Sequence, residues 1–413
     1  MNKWGIWIGL VMAGCGTAPG DSDTAAGDAP TYYRDIQPIL AENCIRCHSE
    51  GGVAPVSFED PDVVVATAAL IKAYTESGVM PPPAPDPACA DYHDSEKLSL
   101  TEEKKAIIAA WVDADAPLGD PEDAPEVDDT STDLDPFDIE LVGAMAYTPD
   151  FSDDGKNDYR CFDVTPSLED GVYVTGFGAI LDNTPFVHHV VVYTTENEPE
   201  TPPPEEGFPC NGTGEGGWDY LAGWAPGASP TRFDEGEGIF LGPEKRLILQ
   251  MHYFNSGATG TDQSGMGFWT APQVSGAIYP YPLGIGGFTI EAGNSAHTET
   301  ESLDWESEYP DIAVVGVWPH MHVLGSHINV RVVHEDDTET CVMNQDGWDF
   351  HNQVPVLLKE PITVTAGDRV DLTCEWDNSA DNPNQFNDPP EDVQFGEGTE
   401  NEMCFAFTYV RLD

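Results

Sequence analysis

The chain has 413 residues, too many for one ordinary domain, and sets 16 Lys+Arg against 74 Asp+Glu, a formal charge of −58. That balance excludes nucleic acid as a partner, because nothing would neutralise its phosphates, and it disfavours other anionic partners. With 40% hydrophobic residues the chain can build real cores, and 40 Gly with 35 Pro point to short strands and many turns.

Lys3 precedes an apolar run from Trp4 to Met12, followed by Ala13-Gly14-Cys15. A run this short, ending in small residues, predicts a signal peptide and not a membrane span. Small residues directly before a cysteine resemble a bacterial lipoprotein signal over residues 1–15. Cys15 would then carry the lipid that anchors the protein in the membrane, and Gly16 after it resembles an outer-membrane address. Plain secretion, with Cys15 discarded, is the alternative. Either route exports the chain to the periplasm or cell surface, where disulfides form. Residues 16–29 are small and polar and predict a flexible tether.

A helical opening, Tyr32-Tyr33-Arg34-Asp35-Ile36, runs into Cys44-Ile45-Arg46-Cys47-His48. This spacing puts two thiols on one helical turn, where they can bond the haem vinyl groups while His48 meets the iron. A thioredoxin-like pair would need a strand beforehand and has no use for the histidine. Met80, held in Gly78-Val79-Met80-Pro81-Pro82, is the candidate sixth ligand; an ordinary core role for Met80, or His93 as ligand, is the alternative. Thr101, with Glu102 and Glu103 after it, predicts a helix start. Over residues 30–119 the chain resembles a small class I cytochrome c, which implies one covalently attached haem c. Residues 120–138 are acidic with no basic residue and predict a solvated linker.

From residue 139 short β-branched and aromatic runs alternate with Gly, Pro, Asn and Asp turns. They predict two β-sandwiches, over 139–285 and 286–413. The expected fold class is therefore multidomain: a small all-α cytochrome c domain followed by two all-β, jelly-roll-like sandwich domains. Three histidine stretches lie in the β part. His188 and His189 are consecutive inside a strand-like run, and both can reach one metal only where the strand is twisted or bulged. His252 ends the run Leu247-Ile248-Leu249-Gln250-Met251. His320 and His322 flank Met321 at the end of a third run, so both imidazoles share a strand face, about 6.5–7 Å apart. Met403, in Glu402-Met403-Cys404, is either a gap-filling core residue or a soft ligand that favours Cu(I) over Zn(II). Five histidines and one methionine suffice for a three-His site and a two-His-one-Met site. His93, His297, His327, His334 and His351 are taken as ordinary polar residues.

Several stretches in order resemble the copper type II, ascorbate-dependent monooxygenases, over about residues 138–413. They are Tyr159-Arg160-Cys161-Phe162, His188-His189, Gly223-Trp224-Ala225-Pro226-Gly227, Gln250-Met251-His252-Tyr253, His320-Met321-His322-Val323-Leu324-Gly325 and Glu402-Met403-Cys404. The resemblance implies two copper ions. His188, His189 and His252 would hold the electron-transfer copper. His320, His322 and Met403 would hold the catalytic one, in a different lobe across a solvent cleft. It also implies a Cys374–Cys404 disulfide, with Cys161 and Cys210 a second candidate pair; the pairing of Cys89 and Cys341 stays open. Amidating members carry an arginine two residues before H-x-H, and Asn and Tyr just after the methionine. Trp318, Phe405 and Phe407 stand there, and none can clamp a carboxylate. The expected activity is an exported copper-dependent monooxygenase that hydroxylates a C–H bond of a neutral small molecule with O₂. Electrons would come through the haem from an ascorbate-like reductant or a redox protein. A non-catalytic copper and haem electron-transfer or binding lipoprotein is the alternative.

Overall fold

In the computed structural model the run that leads to His320 forms the strand Ile312–Met321, buried along its whole length. A strand covered on both faces needs a core on each side. Val314, Val317 and Met321 enter one core, whereas Val315 and Trp318 enter the other. The switch of parity comes from a register shift between Val314 and Gly316. After it, alternation puts His320 on the Trp318 side, away from Met321.

The structure describes residues 29–125 and 135–412, except 51, 53, 153, 154, 198, 200, 201 and 213. The signal segment, Cys15, all of the tether but its last residue, and positions 126–134 of the acidic linker lie outside the described residues. No helix among the described residues is long and apolar enough to cross a membrane.

Ile312–Met321 belongs to a nine-stranded sheet. Its main path runs Ile139–Val142, Gly265–Ala271, Val172–Ile180, Glu237–Leu241, Gly276–Ile285, Cys404–Leu412, Ile312–Met321, Val356–Val364. One half is faced by a five-stranded sheet that contains Asn157–Asp163, Arg246–Phe254 and Val187–Thr195. The other half is faced by a four-stranded sheet that contains Arg369–Trp376 and Gly325–Val333. The halves join where Glu237–Leu241 pairs in parallel with Gly276–Ile285.

The expected fold class is corrected here. The protein is mostly β, about 38% strand and 14% helix, and a small all-α cytochrome c domain is not evident. The β part does have the two cores expected of two sandwiches, but one continuous sheet serves both. The N-terminal part does contain helices. Pro61–Glu76 starts with the Asp60 side chain accepting from Asp62 N, and Glu102–Asp113 starts with Thr101 in the same role for Lys104 N. Their Val64, Ala68, Ile108 and Trp111 pack with Ile36 and Leu40 in a small core. Between these two helices the chain leaves that core and gives apolar residues to the β body. Tyr92 and Leu98 are buried in the four-stranded-sheet core. Tyr92 bridges to Leu358 and donates its hydroxyl to Val342 O at 3.1 Å. Cys89 is disulfide-bonded to Cys341. The pair left open by the sequence thus fastens this segment to the β body. Cys161–Cys210 and Cys374–Cys404 are also bonded.

Candidate metal centre

The strands Val187–Thr195 and Arg246–Phe254 are neighbours, with His189 opposite His252. A register shift between Val187 and His189 leaves His188 on an irregularity, the distortion that consecutive histidines need to face one point. His189 Nδ1 lies 3.2 Å from His188 Nδ1 and 3.4 Å from His252 Nδ1. Three buried imidazoles thus bring ring nitrogens together with no carboxylate among them, a donor set that fits a copper ion. His252 Nε2 donates to Asn157 Oδ1 at 2.9 Å, and Tyr159 stacks on the His252 ring at 4.1 Å.

The second group is built at the end of Ile312–Met321, which pairs with Cys404–Leu412 so that His320 stands opposite Phe405 and Trp318 opposite Phe407. The His320 and His322 rings are 5.2 Å apart. His320 Nδ1 donates to Gln353 Oε1 at 2.6 Å, and His322 Nδ1 to Asn401 O at 3.1 Å. Each ring keeps Nε2 for a metal. Met403 lines the same cavity as both rings and is 4% exposed. Beside it, buried Glu402 accepts from His322 N at 3.0 Å, Leu324 N at 2.6 Å and Trp376 Nε1 at 2.9 Å, which ties the turn after His322 to the Met403 strand.

All five histidines are held neutral. Burial is the main cause, reinforced at His188, His189, His252 and His322 by neighbouring imidazoles. His320 is pushed down to about 4 and His322 to about 3. Neutral imidazole is the form that binds metal.

The separation between the groups differs from the expectation. They do not face each other across an open cleft: the His189 and His320 rings are 5.9 Å apart, and both residues are buried. The Phe350 ring fills the space nearby, stacked on His188 at 4.3 Å and edge-on to His322 at 5.9 Å.

Two cavities flank this cluster. The smaller, about 150 Å³, touches His189, His320, His322 and Met403 and is walled by Trp318, Phe405, Phe407 and Tyr220. Gly223 makes that wall possible: a Cβ there would lie 1.9 Å from the Trp318 ring. The larger, about 570 Å³, is lined by Cys44, Cys47, His48 and Met80 on one side and by His188, Phe254 and His351 on the other. Cys44 and Cys47 are thiols, and burial pushes Cys44 up to about 12. His48 Nδ1 donates to Val56 O at 2.8 Å, leaving Nε2 open. His93 is elsewhere, 3.5 Å from Asp234. His297, His327 and His334 have ordinary polar partners, but His351, taken as ordinary, stands at the larger cavity 6.2 Å from the His188 ring. Asn157 and Gln353, which orient the histidines, carried no sequence signal, because each meets its partner only through the fold. Glu402 was visible only as part of the Glu-Met-Cys stretch.

Residues 150–259 match the N-terminal domain of the copper type II ascorbate-dependent monooxygenases, and residues 295–410 match their C-terminal domain, together more than half of the chain. Among curated proteins, human DBH-like monooxygenase protein 2 is 23% identical over 255 residues, 56% of this chain and 48% of that protein. Human DBH-like monooxygenase protein 1 is 24% identical over 256 residues, 55% of this chain and 40% of that one. The chain therefore spans about half or less of the length of these relatives. Among solved structures, the empty particle of cowpea mosaic virus is 9% identical, covering 70% of this chain and 94% of that one, with a TM-score of only 0.25. With its two matched domains and with His188, His189, His252, His320, His322 and Met403 gathered as described, the chain belongs to the copper type II, ascorbate-dependent monooxygenase family.

Proposed function

We propose that this chain is an exported monooxygenase that converts R–H, O₂, two electrons and two protons into R–OH and water on a small neutral substrate. His188, His189 and His252 would hold one copper, and His320, His322 and Met403 the other. Copper supplies the one-electron chemistry that activates O₂. The chain's own contribution is positioning. Asn157, Gln353 and the Asn401 carbonyl set the ring orientations of His252, His320 and His322. The Met403 thioether favours the reduced metal.

The observation that carries this reading is the approach of the two groups to 5.9 Å, with an aromatic-walled cavity at the second. That cavity also supports the substrate class. Among the described residues none that line it is Asp, Glu, Lys or Arg, so no side chain there offers a charged partner to a carboxylate or an ammonium. Its volume of about 150 Å³ is comparable with an engineered apolar cavity that takes up benzene. Trp318, Phe405 and Phe407 stand in the wall where amidating members bind a carboxylate, which argues against peptide amidation.

We read Cys44, Cys47 and His48 as the attachment site of one haem c, with Met80 as the other axial ligand. Two unpaired thiols, a His48 ring oriented through Nδ1 and a cavity of ligand-pocket size support this. The haem supplies a one-electron carrier. His188 lines the same cavity, so the carrier would sit beside the first copper group, and one tether would replace collision by high effective concentration. An ascorbate-like reductant or a redox protein would refill it. Lipid attachment at Cys15 and a periplasmic or surface location complete the proposal.

The test uses copper-loaded full-length protein matured in a bacterial periplasm. Under anaerobic reduction the haem should stay reduced until O₂ and a neutral single-ring substrate are added together, and O₂ uptake should then match product. Across a panel of such substrates, O₂ uptake no faster than in the substrate-free protein would leave a binding or electron-transfer protein. Turnover of glycine-extended peptides that depends on their carboxylate would overturn the substrate class.

A further inference from the structure

One five-residue turn, Asp349-Phe350-His351-Asn352-Gln353, touches every part of this arrangement. Phe350 stacks on His188, and Gln353 holds His320. Asp349 and His351 line the larger cavity with Cys44, Cys47 and Met80. The turn closes on itself through Asn352 N to Asp349 O at 2.9 Å and Gln353 Nε2 to Phe350 O at 2.9 Å. The Gln353 carbonyl also accepts from Trp318 Nε1 at 2.8 Å, which brings in the aromatic wall.

Asn352 makes the remaining link. It is 1% exposed, and its amide donates to Pro83 O at 2.8 Å and to Pro82 O at 3.4 Å. Those carbonyls belong to the stretch that follows Met80. Proline cannot donate a backbone hydrogen bond, so this stretch depends on donors from elsewhere. The second donor to Pro83 O is Gln345 Nε2, at 3.1 Å, also from the β body. On the other side of Asn352 lies Gly227, at a φ of +80° that favours glycine. A Cβ on Gly227 would be 3.7 Å from Asn352 Oδ1 and 2.9 Å from Cys47 Sγ. The Gly227 carbonyl accepts from Arg46 Nη1 at 2.8 Å. Both the Cys47 turn and the Met80 loop are therefore seated on the β body, and Asn352 stands between them.

We infer that Asn352 is a positioning residue for Met80: it fixes the methionine loop against the body that carries both histidine groups. The inference rests on the haem reading above. The residues around a haem set its properties through the axial ligand, and a methionine ligand raises the potential. Loss of the Asn352 amide frees Pro82 O, leaves Pro83 O with Gln345 alone and so loosens the thioether, while Gln353 and Phe350 still serve the histidines.

The test compares full-length, haem- and copper-loaded wild type with Asn352→Ala, with Met80→Ala as reference. The readouts are the ferric haem spectrum, the haem midpoint potential and copper per chain. Asn352→Ala should keep the haem and both coppers, while its spectrum and potential shift toward those of Met80→Ala. If Asn352→Ala does not fold, Asn352→Ser serves, since its hydroxyl is too short to span both carbonyls and should shift in the same direction. A folded variant with wild-type spectrum and potential overturns the role of Asn352. Absence of haem from the wild type overturns the haem reading and this inference with it; a Met80→Ala spectrum equal to wild type overturns Met80 as the ligand, and so this inference, while the haem reading stands.

Discussion

Gln353→Leu tests how the second copper group is held. Gln353 is 1% exposed, and its Oε1 accepts from His320 Nδ1 at 2.6 Å. Leucine keeps much of the volume and removes the acceptor. The His320 N–H is then buried without a partner, which costs about 1–3 kcal/mol. Losing the group that orients a metal-ligating histidine weakens metal binding by about 10–100-fold, or about 1.4–2.7 kcal/mol, so the two estimates agree. The first copper group has its own orienting residue in Asn157 and should be unaffected. The assay is a Cu(I) competition titration against a chromophoric chelator, with the two sites separated by running it in His188→Ala and Met403→Ala backgrounds. Loss confined to the His320 site is the expected result. Unchanged affinity at that site, or equal loss at both, would refute the argument.

Three further outcomes are expected. Gly223→Ala should push Trp318 out of the cavity wall, because the added Cβ would sit 1.9 Å from its ring; a stability loss of about 1–3 kcal/mol and an altered near-UV circular dichroism signal would register it. Cys89→Ser with Cys341→Ser should lower stability by about 2–4 kcal/mol in thermal unfolding, since that bond closes a span of 252 residues. Burial raises the Asp371 carboxyl, but hydrogen bonds from Arg369, Ser302 and Arg331 outweigh it and hold it below the usual range. A depressed folded-state value means that the stabilisation is present above the unfolded value of about 3.9 and is lost as pH falls through the folded one. The stability gap between wild type and Asp371→Asn should thus be wide at pH 7 and shrink at pH 3, as read by urea unfolding; an equal gap at both pH values would contradict it.

The five histidines stood out because metal chemistry restricts the residue types and strand alternation restricts the spacing, whereas Met403 and the division into two ligand sets came only from the family resemblance. His320 and His322 on one face follow from period-two geometry alone, and the demand for a distortion at His188 follows from the same rule. What orients those rings was not legible. Gln353 lies 33 residues from His320, and Asn157 lies 95 from His252, so no local pattern joins them. The architecture failed for a related reason. Ile312–Met321 reads as a largely apolar run ending at His320, and the sequence does not say that its two faces serve two cores or that a single sheet spans both. The helical N-terminal part looked self-contained because its motifs are local. Tyr92 and Leu98 pack instead into the β body, and only the fold brings their partners to them.

The most direct test is the copper content of the purified full-length chain, wild type against His188→Ala and Met403→Ala. Two coppers per chain in the wild type, with one lost in each variant and the other retained, is the predicted result. No stoichiometric copper in the wild type, or variants that keep both ions, would contradict the assignment of these residues to two copper sites.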